Sequence, residues 1–398
     1  MRIFDFTTEQ IAAIVGSLVA DELSWRFRKH MDSLTVASLA PEMILGEQGL
    51  ALDEEQRLAC ARRASAFFGA STDILSIAPT VTIQDWSERL HDAIKHQLLG
   101  FQFTAAGRDS ETQSTFHRAD HIYADAAATS NLLYGRRRII SLIAPHSLIG
   151  FILTILTPNL QQIPRIDARG VSPEELNDLL SFGDALVATP SLWRFLMDQG
   201  LCAPDNAMGL YFGERMSPDL AALMRQAGFG AQREIYGSTE TSLIGWRDSP
   251  GDAFRLFDVL FRDGDQIRRE DPLLRKSGDR LEMRSASVMP MDIISWESAR
   301  CFRLIKRRDG AVQIGGVNVF PERIADAITD HEKVSACRVT TGQQETGFQR
   351  LIAHIVLKNS LDLNESVARS IDRHCRDVLR PNERPRIYRF HEEMPADS

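Results

Sequence analysis

Apolar residues recur at helical spacing through residues 8–30 and again through 53–69, where LALDEEQRLACARRASAFF keeps them on one stripe. A third such segment runs from Ile83 to Leu98 and carries Trp86. From Phe101 to about Tyr236 the pattern changes. Short apolar runs (GFQFT, RIISLIA, ALVAT, GLYFG) alternate with helical patterns at 119–134, 172–181, 190–199 and 217–227. Alternation of strand and helix at this spacing predicts a mixed α/β layer fold with much parallel sheet. Residues 252–308 then read as β-rich, in FRLFDVLFRDGDQIRRE, DRLEMRS and MDIISW, with a hairpin at Asp263-Gly264. After KRRDGAVQIGGVNVFPERI come a helix at 321–330, strands near 334–340 and 350–357, a helix at 363–379 and a last strand near 386–390. The expected class is therefore α/β: a large N-terminal domain with mixed and parallel sheet and a β-rich section, followed by a small α+β domain. Three parts are expected: an N-terminal helical region over 1–98, a core over 99–308, and a small mobile α+β module over 310–398, with the break near Asp309.

Composition narrows the function classes. A chain of 398 residues with 43% hydrophobic and 25% charged residues is ordinary for a globular protein of two or three domains. A net charge of −8 leaves no basic surplus for neutralising phosphates, so no general nucleic-acid partner is expected. Basic runs at 135–138 and 306–308 read as solvated faces. The five cysteines are scattered without a CxxC pair, which suits a reducing cytoplasm and supplies no metal framework. MRIFDFTTEQIAAIV has no cleavage signature, so a cytoplasmic location without a signal peptide is expected. Residues 139–157 are uncharged over about a membrane-spanning length. Pro145, His146 and Gly150 interrupt that run, so it reads as a buried strand, a loop and a buried helix, with no membrane span.

The chemistry gathers at REIYGSTETSLIGW, residues 233–246. Phosphate chemistry needs hydroxyl and backbone donors for the oxygens and a carboxylate for Mg²⁺. Tyr236 can stack on a base, Gly237 allows close backbone approach, Ser238 and Thr239 offer hydroxyls, and Glu240 can bind the metal. A polar turn is the competing reading of the same pentapeptide.

YGSTE resembles the nucleotide-binding motif of the adenylate-forming superfamily, which includes acyl- and aryl-CoA synthetases, luciferases and nonribosomal adenylation domains. Other blocks fall in that superfamily's order over roughly residues 80–395. FTAAGRDSETQ (103–113) stands at the phosphate loop, with Thr104, Gly107 and Ser110 as its contacts, and GLYFGERMS (209–217) at the segment bordering adenine, with Gly213, Glu214 and Arg215. The resemblance makes Asp292 and Arg307 ribose ligands, Asp309 the pivot of a hinge, and Gly316 the glycine near a thiol tunnel. VQIGGVNVFP, GDALVATPSLW and DWSERL are most similar to AMP ligases of aryl polyene and xanthomonadin pigment pathways. The implied reaction activates an aromatic or other acyl carboxylic acid with MgATP, releasing pyrophosphate. The acyl group then passes from AMP to the pantetheine thiol of CoA or of an acyl carrier protein. In that reaction Glu240 holds Mg²⁺, Thr239 contacts phosphate, and His146 borders the acyl group.

Three departures from the superfamily pattern bear on this. The phosphate loop has Ala105 and Ala106 where hydroxyls or glycine are usual, and Asp109 brings negative charge toward the phosphates, with Ser110 and Thr112 as replacement donors. No lysine follows Lys358, whereas relatives place a catalytic lysine near their end; the chain is expected to lack that cation. Aligning on Gly150 puts Ser147 at the usual histidine position and His146 one residue early, so a packing role competes for His146. The alternative function is a degenerate homologue that binds an acyl-AMP or carrier-protein intermediate, or hands the adenylate to another enzyme, without complete ligase activity.

Overall fold

Thr7 and Asp53 start the first two helices, α1 (Thr8–Arg26) and α2 (Glu54–Phe67). Each side chain accepts a backbone N–H three residues on and is answered by Gln10 or Gln56, a reciprocal capping box. The computed structural model describes residues 5–29, 31, 39–96, 98–106, 112–277, 280–314, 317–343, 349–359 and 363–395. With α3 (Ile83–His96), these helices carry their apolar residues inward. Phenylalanines join them to the rest of the chain: Phe6, Phe67 and Phe68 pack against Phe101, Phe103 and Phe151, and the Phe101 and Phe151 centroids are 4.7 Å apart. Each such side chain contributes about 1.5–3 kcal/mol by leaving water. The core of α1–α3 is thus continuous with that of the following residues, including Ile139, Val187, Leu210 and Ile235.

The next elements are a hairpin, β1 (Gly100–Ala106) with β2 (Thr112–Arg118), and the helix α4 (Ala119–Leu132). The main sheet is then built from β3 (Arg138–Ser141), β4 (Arg165–Asp167), β5 (Asp184–Ala188), β6 (Met208–Phe212), β7 (Ala231–Ser238), β8 (Ser242–Arg247) and β9 (Phe254–Leu256). After the meander β10 (Leu260–Asp263), β11 (Gln266–Ser277) and β12 (Arg280–Val288), β13 (Asp292–Trp296) and β14 (Cys301–Arg307) return to it. The nine strands lie in the order β13-β14-β9-β8-β7-β6-β5-β3-β4. From β4 through β3, β5 and β6 to β7 they are parallel, and beyond β7 antiparallel. The parallel half is covered on both faces. Ala185 and Val187 point toward α1–α3, while Leu186 and Ala188 meet Trp193, Leu196, Leu220 and Met224 from helices Pro190–Asp198 and Pro218–Gln226 on the other face. That two-sided burial is why these strands read as unbroken apolar runs.

A hairpin of β15 (Val312–Ile314) and β16 (Val317–Val319) leads into the last part. There a helix, Pro321–Thr329, and another, Glu365–Val378, pack on β17 (Val334–Gln343), β18 (Gln349–Leu357) and β19 (Ile387–His391) around Ile324, Ile328, Ala353, Ile355 and Ile371. The α/β class and the elements of this final part agree with expectation. The strand β2 was not foreseen: TQSTFHR has no apolar alternation, its Phe116 is exposed, and the strand is defined by its pairing with β1. Residues 139–157 form β3, a loop and the start of a buried helix with a π-helical turn at Ile152–Leu156. Among the described residues, no helix is long and apolar enough to cross a membrane.

Candidate functional site

The motif Tyr236–Glu240 lies where the parallel strands end and the antiparallel half begins, on the last residues of β7 and the turn into β8. Gly237 is required there by space. A Cβ on it would stand 2.5 Å from the Ser242 carbonyl oxygen, at a bulge in the β7–β8 pairing. The far side of the turn is held by Ser242, whose φ of +62° is costly for a residue with a side chain. Its hydroxyl donates to the buried Asp125 Oδ2 at 2.6 Å, and Arg269 grips the same carboxylate with Nη1 at 2.6 Å and Nη2 at 3.2 Å. On the other side, His117 of β2 reaches the Thr239 carbonyl with Nε2 at 2.7 Å. A carbonyl only accepts, so Nε2 carries the proton. Burial lowers the basicity of this imidazole, consistent with a neutral ring.

Tyr236 packs on Phe254 and Phe302, with centroids at 5.4 and 5.8 Å, and its hydroxyl donates to Asp292 Oδ2 at 2.7 Å. Asp292 and Arg307 are cross-strand partners on β13 and β14. The Arg307 guanidinium is held bidentate by Asp309, at 2.9 and 2.7 Å. Gly213, with φ +90°, turns the chain at the end of β6. Gly213, Tyr236, Phe254, Asp292 and Arg307 line a cleft of about 580 Å³, together with Glu214, Arg215, Gly237 and Ser238. Arg215 stands exposed at its rim. Glu214 is turned to a structural task, accepting from Ser191 N at 2.9 Å and Ser191 Oγ at 2.5 Å at the start of helix Pro190–Asp198.

A second cavity of about 210 Å³ shares Gly213, Gly237, Ser238 and Arg307 with the first. Thr104, His146 and Thr239 line it, with Leu148, Ile149 and Phe212 as apolar wall. Thr104 Oγ1 is 3.1 Å from Ser114 Oγ across the β1–β2 hairpin. The structure thus brings Thr104, His146, Gly213, Glu214, Arg215, Tyr236, Gly237, Ser238, Thr239, Asp292 and Arg307 to two adjoining cavities. Asp309 lies beside them through Arg307, and Glu240 is half-buried in the same turn, its charge felt by Arg307. Gly107, Ser110 and Gly316 lie outside the described residues. Among the described residues, no group of three or more His, Cys, Asp and Glu gathers as a metal cage. A lone carboxylate such as Glu240 suits a Mg²⁺ that arrives on phosphate oxygens.

Residues 323–398 match the AMP-binding enzyme C-terminal domain. A 4-coumarate–CoA ligase of Halorhodospira halophila is 27% identical over 395 residues, 98% of this chain and 97% of that one. In fold, the chain is similar to the amide bond synthetase McbA of Marinactinospora thermotolerans, with a TM-score of 0.59, 13% identity and coverage of 98% and 91%. It is also similar to the o-succinylbenzoate CoA synthetase MenE of Bacillus subtilis, with a TM-score of 0.58, 15% identity and coverage of 75% and 66%. The family match over the last residues and the full-length relative make the chain similar to AMP-binding enzymes, and the two solved structures show a shared fold.

Within this AMP-binding fold, sequence reading missed the contribution of the first helices. Asp21 and Trp25 of α1 and Arg63 of α2 line the smaller cavity. Arg63 donates to Asp21 Oδ2 at 2.8 Å. Arg169 donates to Ser17 Oγ at 3.0 Å, and the same hydroxyl lies 2.8 Å from His146 Nδ1. Burial pushes the His146 pKa down to about 4 against the pull of Asp21, whose Oδ2 lies 3.7 Å from Nε2. One signal was present in the sequence: IAAIVGSLVADE is apolar on all sides of its helix, so the few polar residues in it had to face something built to receive them.

Proposed function

We propose that the protein is an ATP-dependent ligase that activates a carboxylic acid as its adenylate and transfers the acyl group to the thiol of CoA, with an aromatic acid as substrate. The observation carrying this reading is the pair of adjoining cavities that meet at Gly237, Ser238 and Arg307. The larger has the volume of a ligand site and a floor of Tyr236, Asp292 and Arg307. An apolar cavity of roughly 150 Å³ accommodates benzene, so the smaller one has room for an aromatic ring with a short tail. The relative from Halorhodospira halophila, named for an aromatic acid, supports the same substrate class.

In this reading AMP occupies the larger cleft. Asp292 accepts from the ribose hydroxyls, Arg307 donates to them, and the Tyr236 ring flanks adenine. The acid enters the smaller cavity with its carboxylate toward Thr239, attacks the α-phosphorus, and pyrophosphate leaves. The thiol then attacks the acyl carbon and AMP departs. Thr239 and Thr104 offer hydroxyls to phosphate oxygens, and Glu240 would hold Mg²⁺, which neutralises phosphate charge when bound. His146, being neutral, orients the acid and does not supply a cation. Arg307 and Asp309 join the two half-reactions: breaking their ion pair frees the segment after 309 to rotate.

Pyrophosphate–ATP exchange with a panel of aromatic and fatty acids tests the proposal. Exchange with at least one aromatic acid is expected, falling at least ~100-fold in Glu240→Gln. AMP binding with no exchange for any acid would instead favour a binding protein.

A further inference from the structure

The peptide unit that joins Thr239 to Glu240 is gripped by one side chain. His117 Nε2 lies 2.7 Å from the Thr239 carbonyl oxygen, and a carbonyl only accepts, so Nε2–H is the donor. His117 is paired with Phe101 across the β1–β2 hairpin, and its ring centroid is 6.0 Å from that of Phe103, so apolar neighbours seat the imidazole. No peptide bond among the described residues is cis. In a trans unit the C=O and the following N–H point in opposite directions, so the Glu240 N–H points away from His117. No described residue accepts a hydrogen bond from that N–H. The neighbouring polar groups are occupied: Ser238 Oγ accepts the Thr241 N–H at 3.3 Å and lies 2.9 Å from Thr241 Oγ1, and Ser242 Oγ donates to Asp125. Thr239 lines the smaller cavity, whereas His117 lines neither of the two.

We infer that His117 is a positioning residue for the phosphate: by pinning the Thr239 carbonyl it aims the Glu240 N–H at a non-bridging oxygen of the α-phosphate. This rests on the proposed adenylation reading, which puts AMP in the larger cleft with its phosphate at the shared residues. A backbone N–H donating to an anionic oxygen makes a charge-assisted hydrogen bond, stronger than one between neutral groups. Held in advance by His117, the donor needs no reorganisation when charge builds on the phosphate. The β1–β2 hairpin also ties two phosphate groups together. Thr104, on β1, lines the smaller cavity with Thr239, and His117, on the paired strand β2, sets the peptide that follows Thr239. A shift of the hairpin therefore moves the Thr104 hydroxyl and turns the Glu240 N–H in one motion. His117 touches no substrate atom in this arrangement and acts only through the peptide it holds.

The test measures binding of AMP and of adenosine by calorimetry to the wild type, His117→Phe and His117→Gln. Adenosine keeps the base and ribose but lacks the phosphate, so its affinity reports whether the cleft is intact in each variant. His117→Phe keeps a ring among the phenylalanines and removes the donor; it is expected to weaken AMP about 10-fold while changing adenosine less than about 2-fold. His117→Gln, which retains an N–H donor, should recover AMP affinity to within about 3-fold of the wild type. A purely structural role would weaken both ligands alike, and that result, or an unchanged preference for AMP in His117→Phe, would overturn the inference. Pyrophosphate–ATP exchange by the wild type is read separately. A phosphate-specific loss in His117→Phe with no exchange for any acid would sustain the positioning role and overturn the adenylation reading.

Discussion

His146 shows how much a residue's surroundings alter its chemistry. Written in sequence it is a group that titrates near neutrality; in place, burial holds its pKa at about 4. The sign of its effect on stability follows from that shift. In the unfolded chain the ring binds a proton below about 6.5, whereas in the folded protein it stays neutral until about 4. Acidification between these values therefore favours the unfolded state, by at most about 3 kcal/mol at the lower end. The melting temperature should fall more steeply from pH 6.5 to 4 in the wild type than in His146→Gln, and parallel pH profiles would contradict this. Above pH 6.5 the two profiles should run together. Tyr236 and Asp292 make the complementary point. Both were expected in the site from the sequence, but their direct hydrogen bond was not, because the two are 56 positions apart in the chain and meet only through the sheet.

At the level of elements, the turn that presents Thr239 and Glu240 is fixed by groups outside it. Asp125 of α4 and Arg269 of β11 form a fully buried pair that also binds Ser242, the residue with positive φ. Removing one partner leaves the other charged and buried. Asp125→Ala should lower unfolding free energy by about 3–5 kcal/mol, measurable by urea denaturation, and should weaken AMP binding because Ser242 is released. Replacing both partners together by apolar residues should recover much of the stability without restoring AMP affinity. A loss below about 1 kcal/mol for the single variant would show the pair to be less isolated from water than its burial suggests. Sequence periodicity could find α4 and most of the sheet strands, since 3.6- and 2-residue repeats are local. It did not find β2, which lacks apolar alternation, or the β15–β16 hairpin, whose strands are only three residues each.

Across the whole molecule, the last part of the chain meets the first. The Arg380 guanidinium lies 3.5 Å from the centre of the Trp25 ring, and residues 380–383 border α1 around a small cavity with Val317. Trp25 also lines the acid-sized cavity, so this contact closes one side of the site with a residue from each end of the chain. A contact of this kind contributes about 0.5–2 kcal/mol, enough to bias an arrangement of the C-terminal part without locking it. Arg380→Ala should accelerate limited proteolysis between 308 and 320 at least ~3-fold with little change in overall melting temperature, and unchanged cleavage would remove any role for the stack in holding that part in place.

The sequence by itself determined the layer architecture, the order of most elements and where the Tyr236–Glu240 run falls among them, because each is written in local periodicity or in a contiguous run. The tertiary structure decided which groups share a cavity. Asp21, Arg63 and His146 are unremarkable where they stand in the chain, and nothing in a helical stripe says what it will be packed against. Burial of that stripe, driven by apolar area and indifferent to partner identity, brought them to one wall. There desolvation and paired charges gave them the chemistry that their residue types alone do not carry.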